Sequence, residues 1–400
     1  MVALVVLFLA GGAAWWWRSN NLKPAQQAGA VPVSAPDASV AVVPSPASRR
    51  RAVTDADDAT KRCGMAIRDA FNVRALQLKN MEDSASQLAY ALAVPVAPSM
   101  NWEALAPEAQ RRAMEQRHEE AQRALLRAVE LSPKDPEVLW FASGQCASGD
   151  RCDAARQALL QAEPGNMLVW LREMARASQR DDAAAAGLAF QRAASAPAYD
   201  AHGSVIQRVM FNAYGTLSLP LSCVDEGVQD AMQREMRIDL GRPFGVFDHA
   251  MLMAVAGAPT MALSPLRQHC MPHAGMDSVR RSACRSVLTR LAGGDIWIER
   301  MIALDVLVQL LGDDPEAAAW RERYRENRWM MTQLADSKIQ ALLLPEDYWN
   351  DEARSIQAAL QIAGRWPPPA DWLPDDEHAR SLILTGRPPP EKKPDQGGVR

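Results

Sequence analysis

The chain reads as all-α, and three observations carry that reading. Ala, Leu, Arg, Gln, Met and Glu dominate from about residue 57 onward, and such residues give up little side-chain freedom in a helix. The strict apolar/polar alternation of a half-buried strand is nearly absent. Helix boundary signals recur instead, with capping side chains ahead of prolines and Gly or Pro at the breaks. The expected organisation is an N-terminal membrane-anchor helix (1–18), a disordered Pro/Ala-rich linker (19–56) and a helical-hairpin domain (57–220). A C-terminal helical subdomain (221–365) and a Pro-rich disordered tail (366–400) complete it.

Met1 to Trp17 contain no charged side chain and end in Trp15-Trp16-Trp17, followed by Arg18. As a helix this run reaches about 25 Å, slightly short of a hydrocarbon core of ~30 Å. Indole favours the membrane–water boundary, and a guanidinium can snorkel to the headgroups. A cleaved secretory signal is the competing reading, since Gly11-Gly12-Ala13-Ala14 supplies small residues, but the basic n-region such a signal carries is missing. Gly12 stands where a lipoprotein would carry its cysteine. Arg18, Lys23 and Arg49-Arg50-Arg51 all follow the apolar run. Read literally, the positive-inside rule puts the helical domain in the cytoplasm. The bare opening Met-Val-Ala-Leu-Val weighs the other way, towards an exported domain on a single-pass anchor. The excess of Arg over Lys points to GC-rich bacterial coding, hence the bacterial inner membrane with the domain in the periplasm.

Pro24, Pro32, Pro36, Pro44 and Pro46 punctuate the next stretch, which has no aromatic residue. Such composition buries too little apolar surface to offset its ordering entropy. Beyond it the helices announce themselves in order. Asn101 precedes Trp102, and Pro107 opens a helix with apolar positions at Ala113, Ala121, Leu125 and Val129. Asp135-Pro136 is an N-cap with proline at N1, leading into Val138, Leu139 and Trp140. Asp314-Pro315 repeats the device before Trp320, Tyr324 and Met331. Trp366-Pro367-Pro368-Pro369 closes the last clear helix.

A short motif repeats. Ala124-Leu125-Leu126-Arg127-Ala128 recurs as Ala158-Leu159-Leu160-Gln161-Ala162, thirty-four positions on. It recurs more weakly as Ala189-Phe190-Gln191-Arg192-Ala193, after thirty-one more. Each copy leads to a break, at Pro133 and Pro136, at Pro164-Gly165-Asn166 and at Pro197. The segment from about Ala104 to Tyr199 therefore resembles a degenerate tetratricopeptide array, over about a quarter of the chain. It departs from the family in lacking the Leu-Gly-x-x-Tyr core of the first helices. The resemblance implies a solenoid of helix pairs whose concave face binds a peptide or partner helix, with no catalytic residues. The paired Lys and Asn of the family's peptide-carboxylate clamp have no counterpart here.

Six cysteines occur: Cys63, Cys146, Cys152, Cys223, Cys270 and Cys284. Cys146 and Cys152 bracket an expected turn between antiparallel helices, which can bring α-carbons to the ~5.5 Å a bridge needs. Cys270 and Cys284 flank Pro272 and Gly275 at a second turn. By elimination Cys63 pairs with Cys223, although six cysteines allow fifteen pairings. Six reduced core cysteines in a cytosolic domain remain the alternative. His269, Cys270, His273 and Cys284 have zinc-ligand chemistry, but the spacing fits no known finger and a disulfide would consume both thiols.

Catalytic templates do not fit. His118-Glu119-Glu120 lacks a metalloprotease's second histidine. Gly203-Ser204 has no strand before it. Gly293-Gly294-Asp295 lacks a phosphate-loop lysine. Asp248-His249 could orient a base, yet beside Phe247, Met251 and Leu252 it reads as a core histidine. A net charge of −4 with interspersed signs excludes a basic nucleic-acid stripe. Twelve tryptophans are many, and Trp140, Trp170, Trp297, Trp320 and Trp329 sit at helical spacing as packing residues. The expectation is a membrane-tethered, non-enzymatic scaffold that binds another protein or peptide, touches the bilayer through its N-terminal segment, and needs no cofactor or metal. An envelope enzyme with unrecognised catalytic groups and a cytoplasm-facing membrane adaptor are the rivals.

Overall fold

In a computed structural model, the described residues are 46–94, 106–146, 149–235, 242–257, 263–336, 338–339, 342–343 and 351–390. They form sixteen α-helices, and among them β-pairing is limited to one isolated parallel bridge, Asn166 with Ala198. The all-α expectation holds. The anchor segment 1–18 and most of the linker lie outside the described residues. Among those that are described, no helix is long and apolar enough to cross a membrane.

Helix α1 (Pro46–Lys79) starts inside the stretch expected to be linker. Past Pro46 that sequence carries no further proline or glycine before Gly64, so its Ala, Arg and Asp residues propagate a helix. Buried Gln87 meets its C-terminal end, its Nε2 donating to the carbonyls of Leu78 and Lys79 and to that of Met81 just beyond the helix.

Three successive hairpins follow: α2 (Ser84–Leu92) with α3 (Pro107–Leu131), α4 (Pro136–Gln145) with α5 (Asp150–Ala162), and α6 (Met167–Gln179) with α7 (Ala183–Ser195). Asp135 caps α4 by accepting from the Glu137 and Val138 amides, with Pro136 at the first helical position. Asn166 caps α6 and Asp182 caps α7 in the same way. In the recurring motif the large apolar residue is buried in all three copies (Leu125, Leu159, Phe190). The closing alanine is buried as Ala128 and Ala193 but exposed as Ala162, where α5 runs along the surface.

The chain then returns to its beginning. Helix α8 (Gly203–Tyr214), a 3₁₀ turn at Leu221–Cys223, α9 (Glu226–Glu235) and α10 (Val246–Gly257) all pack on α1. Helix α11 (Ser264–Cys270) lies against α6, and α12 (Ser278–Ala292) against α7. Arg290 of α12 donates to the Ala194 and Ala196 carbonyls at the end of α7. Helices α13 (Trp297–Leu311), α14 (Ala317–Gln333) and α15 (Glu352–Ile362) complete this half. Helix α14 begins two residues past Pro315, because Asp314 caps a preceding turn by accepting from the Glu316 amide.

One continuous apolar core runs from Cys63 to Leu382, with a satellite around Trp297, Met330 and Ile356. Members of that core lie on both sides of residue 220. The tail is a correction too. Asp376 caps α16 (Glu377–Thr385), whose Ala379 and Leu382 are buried, and Trp372 packs edge-on against Trp329. A capped amphipathic turn after three prolines had docking partners that its composition does not reveal.

All six cysteines are bridged in the expected pairs: Cys63–Cys223, Cys146–Cys152 and Cys270–Cys284, with Cα–Cα distances of 4.9, 5.5 and 5.5 Å. In the chain-entropy picture, sequence separations of 160, 6 and 14 residues correspond to roughly 5, 2 and 3 kcal/mol. Replacing both cysteines of a pair by serine should therefore lower the melting temperature most for Cys63/Cys223 and least for Cys146/Cys152. Thermal denaturation of the three double variants checks the order, and a Cys146/Cys152 variant that falls furthest contradicts it.

Candidate functional site

The residues that the sequence offered for chemistry are mostly committed to the fold. Asp248 is 1% exposed and sits in the first turn of α10. It takes a two-pronged ion pair from Arg242 (2.8 and 2.6 Å) and the Gly245 amide at 2.9 Å, so it fastens the approach to its own helix. Its neighbour His249 turns away and meets Phe71 edge-on, with centroids 4.9 Å apart. Burial, and then Arg68, push His249 down to about 4, so it is a neutral packing group at pH 7. His269 lies against Phe190 and is likewise lowered to about 4 by burial and by Arg280. His273 accepts from the Gly275 amide. Because Cys270 and Cys284 are bonded to each other, neither is a thiolate that could join these histidines around zinc. His118 and Ser204 are exposed on α3 and α8.

Gly293 and Gly294 serve packing rather than phosphate binding. Gly293 ends α12, and a Cβ at Gly294 would lie 2.6 Å from the Tyr199 ring. Trp140 and Trp297 are buried. Trp170 donates to the Pro164 carbonyl and Trp329 to that of Arg365, while Trp320 lies beneath Arg323.

Two constellations lay beyond sequence reasoning. The first joins the hairpins to the C-terminal helices. Arg172 on α6 lies 3.3 Å over the Trp140 ring and donates to the Trp140 carbonyl (2.6 Å) and the Ser143 hydroxyl (3.3 Å). Burial, and then Arg176, pull its guanidinium down from the ordinary range, and the charges of Glu299 and Glu163 oppose them. Glu163 binds His202 Nε2 at 3.0 Å and Asn166 at 3.0 Å. His202 takes the left-handed φ of 51° just before α8 and sits beside Trp140. Glu299, 7% exposed on α13, accepts from the Tyr199 hydroxyl at 2.9 Å. Burial pushes Glu299 up to about 7, with Tyr199 and Arg172 opposing.

The second is a cleft of about 400 Å³ where α11, α13, α14 and α16 meet. Asp305 is among the residues that line it. Its Oδ1 accepts from the Tyr324 hydroxyl (3.2 Å) and His378 Nε2 (3.1 Å), and its Oδ2 accepts from Gln309 (3.2 Å). Arg267 approaches the same carboxylate at 3.8 Å. Arg328 closes one wall, paired with Asp376 at 3.2 Å and lying over the Tyr324 ring. Leu263, Met301 and Ile302 supply apolar surface, and Ser264 is at the rim. The signal available in the sequence was an acid set inside an apolar run, Ile-Ala-Leu-Asp305-Val-Leu-Val. Its partner His378 lies 73 residues away, in a segment that reads as tail.

Comparison with protein-family models, with curated proteins and with solved structures finds no match.

Glu299 gives a pH test of the first constellation. Its folded value, about 7, lies above the ordinary 4.5. The protein is therefore relieved of this penalty below pH ~4.5 and loses up to ~3 kcal/mol as pH rises through 7. Glu299→Gln, which keeps an acceptor for Tyr199, should raise the melting temperature at pH 8 and bring progressively less gain toward pH 4.5. Melting curves of both proteins across that range check the sign, and a loss at pH 8 contradicts the assignment.

Proposed function

We propose that the protein is a membrane-tethered, non-enzymatic scaffold of tetratricopeptide-like helical repeats that binds another protein or peptide at the bacterial cell envelope. The observation that carries this reading is the succession α2–α3, α4–α5, α6–α7. These are three consecutive helix hairpins, with the large apolar residue of the recurring motif buried at the same place in each. Stacked helix pairs of this kind present extended surfaces for recognition. The polar groups that the sequence offered for base chemistry or for metal binding support it as well, since Asp248, His249 and His269 each build the fold. The bridged cysteines fit an oxidising compartment, and hence the periplasmic side of an inner-membrane anchor.

Chemical cross-linking of the full-length chain in its native membranes tests the reading. The protein should remain in the pellet through high-salt and carbonate washes and yield one discrete protein adduct. The adduct should persist in a folded His249→Phe variant, because that side chain only packs on Phe71. Release of the chain at mature length into the soluble fraction would replace the anchor by a cleaved signal. A turnover abolished by one substitution, with circular dichroism unchanged, would replace the scaffold by an enzyme.

A further inference from the structure

The cleft around Asp305 offers a ligand donors, not acceptors. Both oxygens of Asp305 are already engaged by Tyr324, His378 and Gln309, so the carboxylate acts as an internal post that holds its neighbours. The two arginines are less fully used. Arg267 is about half exposed, and its guanidinium makes only the 3.8 Å approach to Asp305 among the described residues. Arg328 is 16% exposed, with one amino group on Asp376. Its Nε is buried with no acceptor among the described residues, a costly arrangement for a charged donor. Both guanidinium groups line the one cleft, and the guanidinium fork matches a planar anion.

The rest of the cleft narrows the class. The half-buried Met301 and Ile302 would stay wet against a bare inorganic ion, so the ligand needs an apolar body beside its anionic group. Asp305 and Asp376 stand beside Arg267 and Arg328, and their repulsion would be stronger for a phosphate dianion than for a monoanion. We propose that this cleft is a binding site for an apolar monocarboxylate, its carboxylate held by Arg267 and Arg328 and its hydrocarbon part lying on Met301 and Ile302. The site belongs to the C-terminal helices and does not depend on the hairpins being a scaffold.

Isothermal titration of the oxidised full-length chain tests it with four probes: 4-methylpentanoate, 4-methylpentanamide, N-acetyl-Ala-Ala-Leu as the free acid, and inorganic phosphate. The free monocarboxylate should bind, with the amide and phosphate at least tenfold weaker. Arg267→Gln should weaken the acid at least tenfold without moving the melting temperature, since that side chain is half exposed. Arg328→Lys, which keeps the charge but loses the fork, should weaken it too. Equal binding of acid and amide, no binding of either acid, or an undiminished affinity in Arg267→Gln would each overturn the proposal. If the peptide acid binds more tightly than 4-methylpentanoate, the carboxylate belongs to a protein terminus; if it binds less tightly, to a free small molecule. A cleft that binds acids in a chain with no protein partner would sink the scaffold reading alone. A partner captured by a chain whose cleft binds nothing would sink this one alone.

Discussion

The contact on which the two halves of the molecule depend is the Tyr199 hydroxyl on buried Glu299, set beside the stack of Arg172 on Trp140. A guanidinium removed from most of its hydration needs compensation from every side, and here each part of the fold supplies some. Helix α4 gives the Trp140 ring and two oxygen acceptors, the turn after α5 gives Glu163, and α13 gives Glu299. Removing one member strands another, which is why such clusters fix a unique arrangement more than they add stability. Around it, Tyr199 reaches Glu299 only because residue 294 is glycine and lets the α12–α13 turn come close. Covalent bonds repeat the tie at the other end, where Cys63–Cys223 fastens α1 to the turn that follows α8.

These ties explain why the sequence reads as separate segments but packs as one core. A hairpin array exposes the apolar flanks of its last helices unless something covers them. In this chain α11 and α12 cover α6 and α7, while α8 and α10 cover α1 and α2. Arg290 meets the end of α7 from α12, so orphan carbonyls of one half are satisfied by the other. Within the C-terminal helices, Glu352 satisfies the start of α13 by accepting from the Trp297 amide.

What could be read from the sequence was local. Asp135-Pro136 works as a cap and first-turn proline because both effects act within three residues. The Cys146–Cys152 and Cys270–Cys284 bridges were legible because each spans a short turn, and Cys63–Cys223 followed by exclusion. What could not be read was long-range. His378 reaches Asp305 across 73 residues, and nothing in a segment bounded by prolines marks Asp376 as a helix cap with a core to join. Asp248-His249 misled for the same reason, since adjacency in sequence put one side chain on Arg242 and the other on Phe71. The Arg172 cluster was equally hidden, because its members lie on four separate elements. The anchor and the repeat kinship rest on the sequence alone.

Differential scanning calorimetry of the oxidised protein addresses the central claim most directly. If the hairpins and the C-terminal helices share one core through Tyr199, Glu299 and the Arg172 cluster beside them, unfolding should be a single transition whose calorimetric and van't Hoff enthalpies agree. Two resolved transitions, or a calorimetric enthalpy well above the van't Hoff value, would mean that the halves melt independently and that the cluster does not join them.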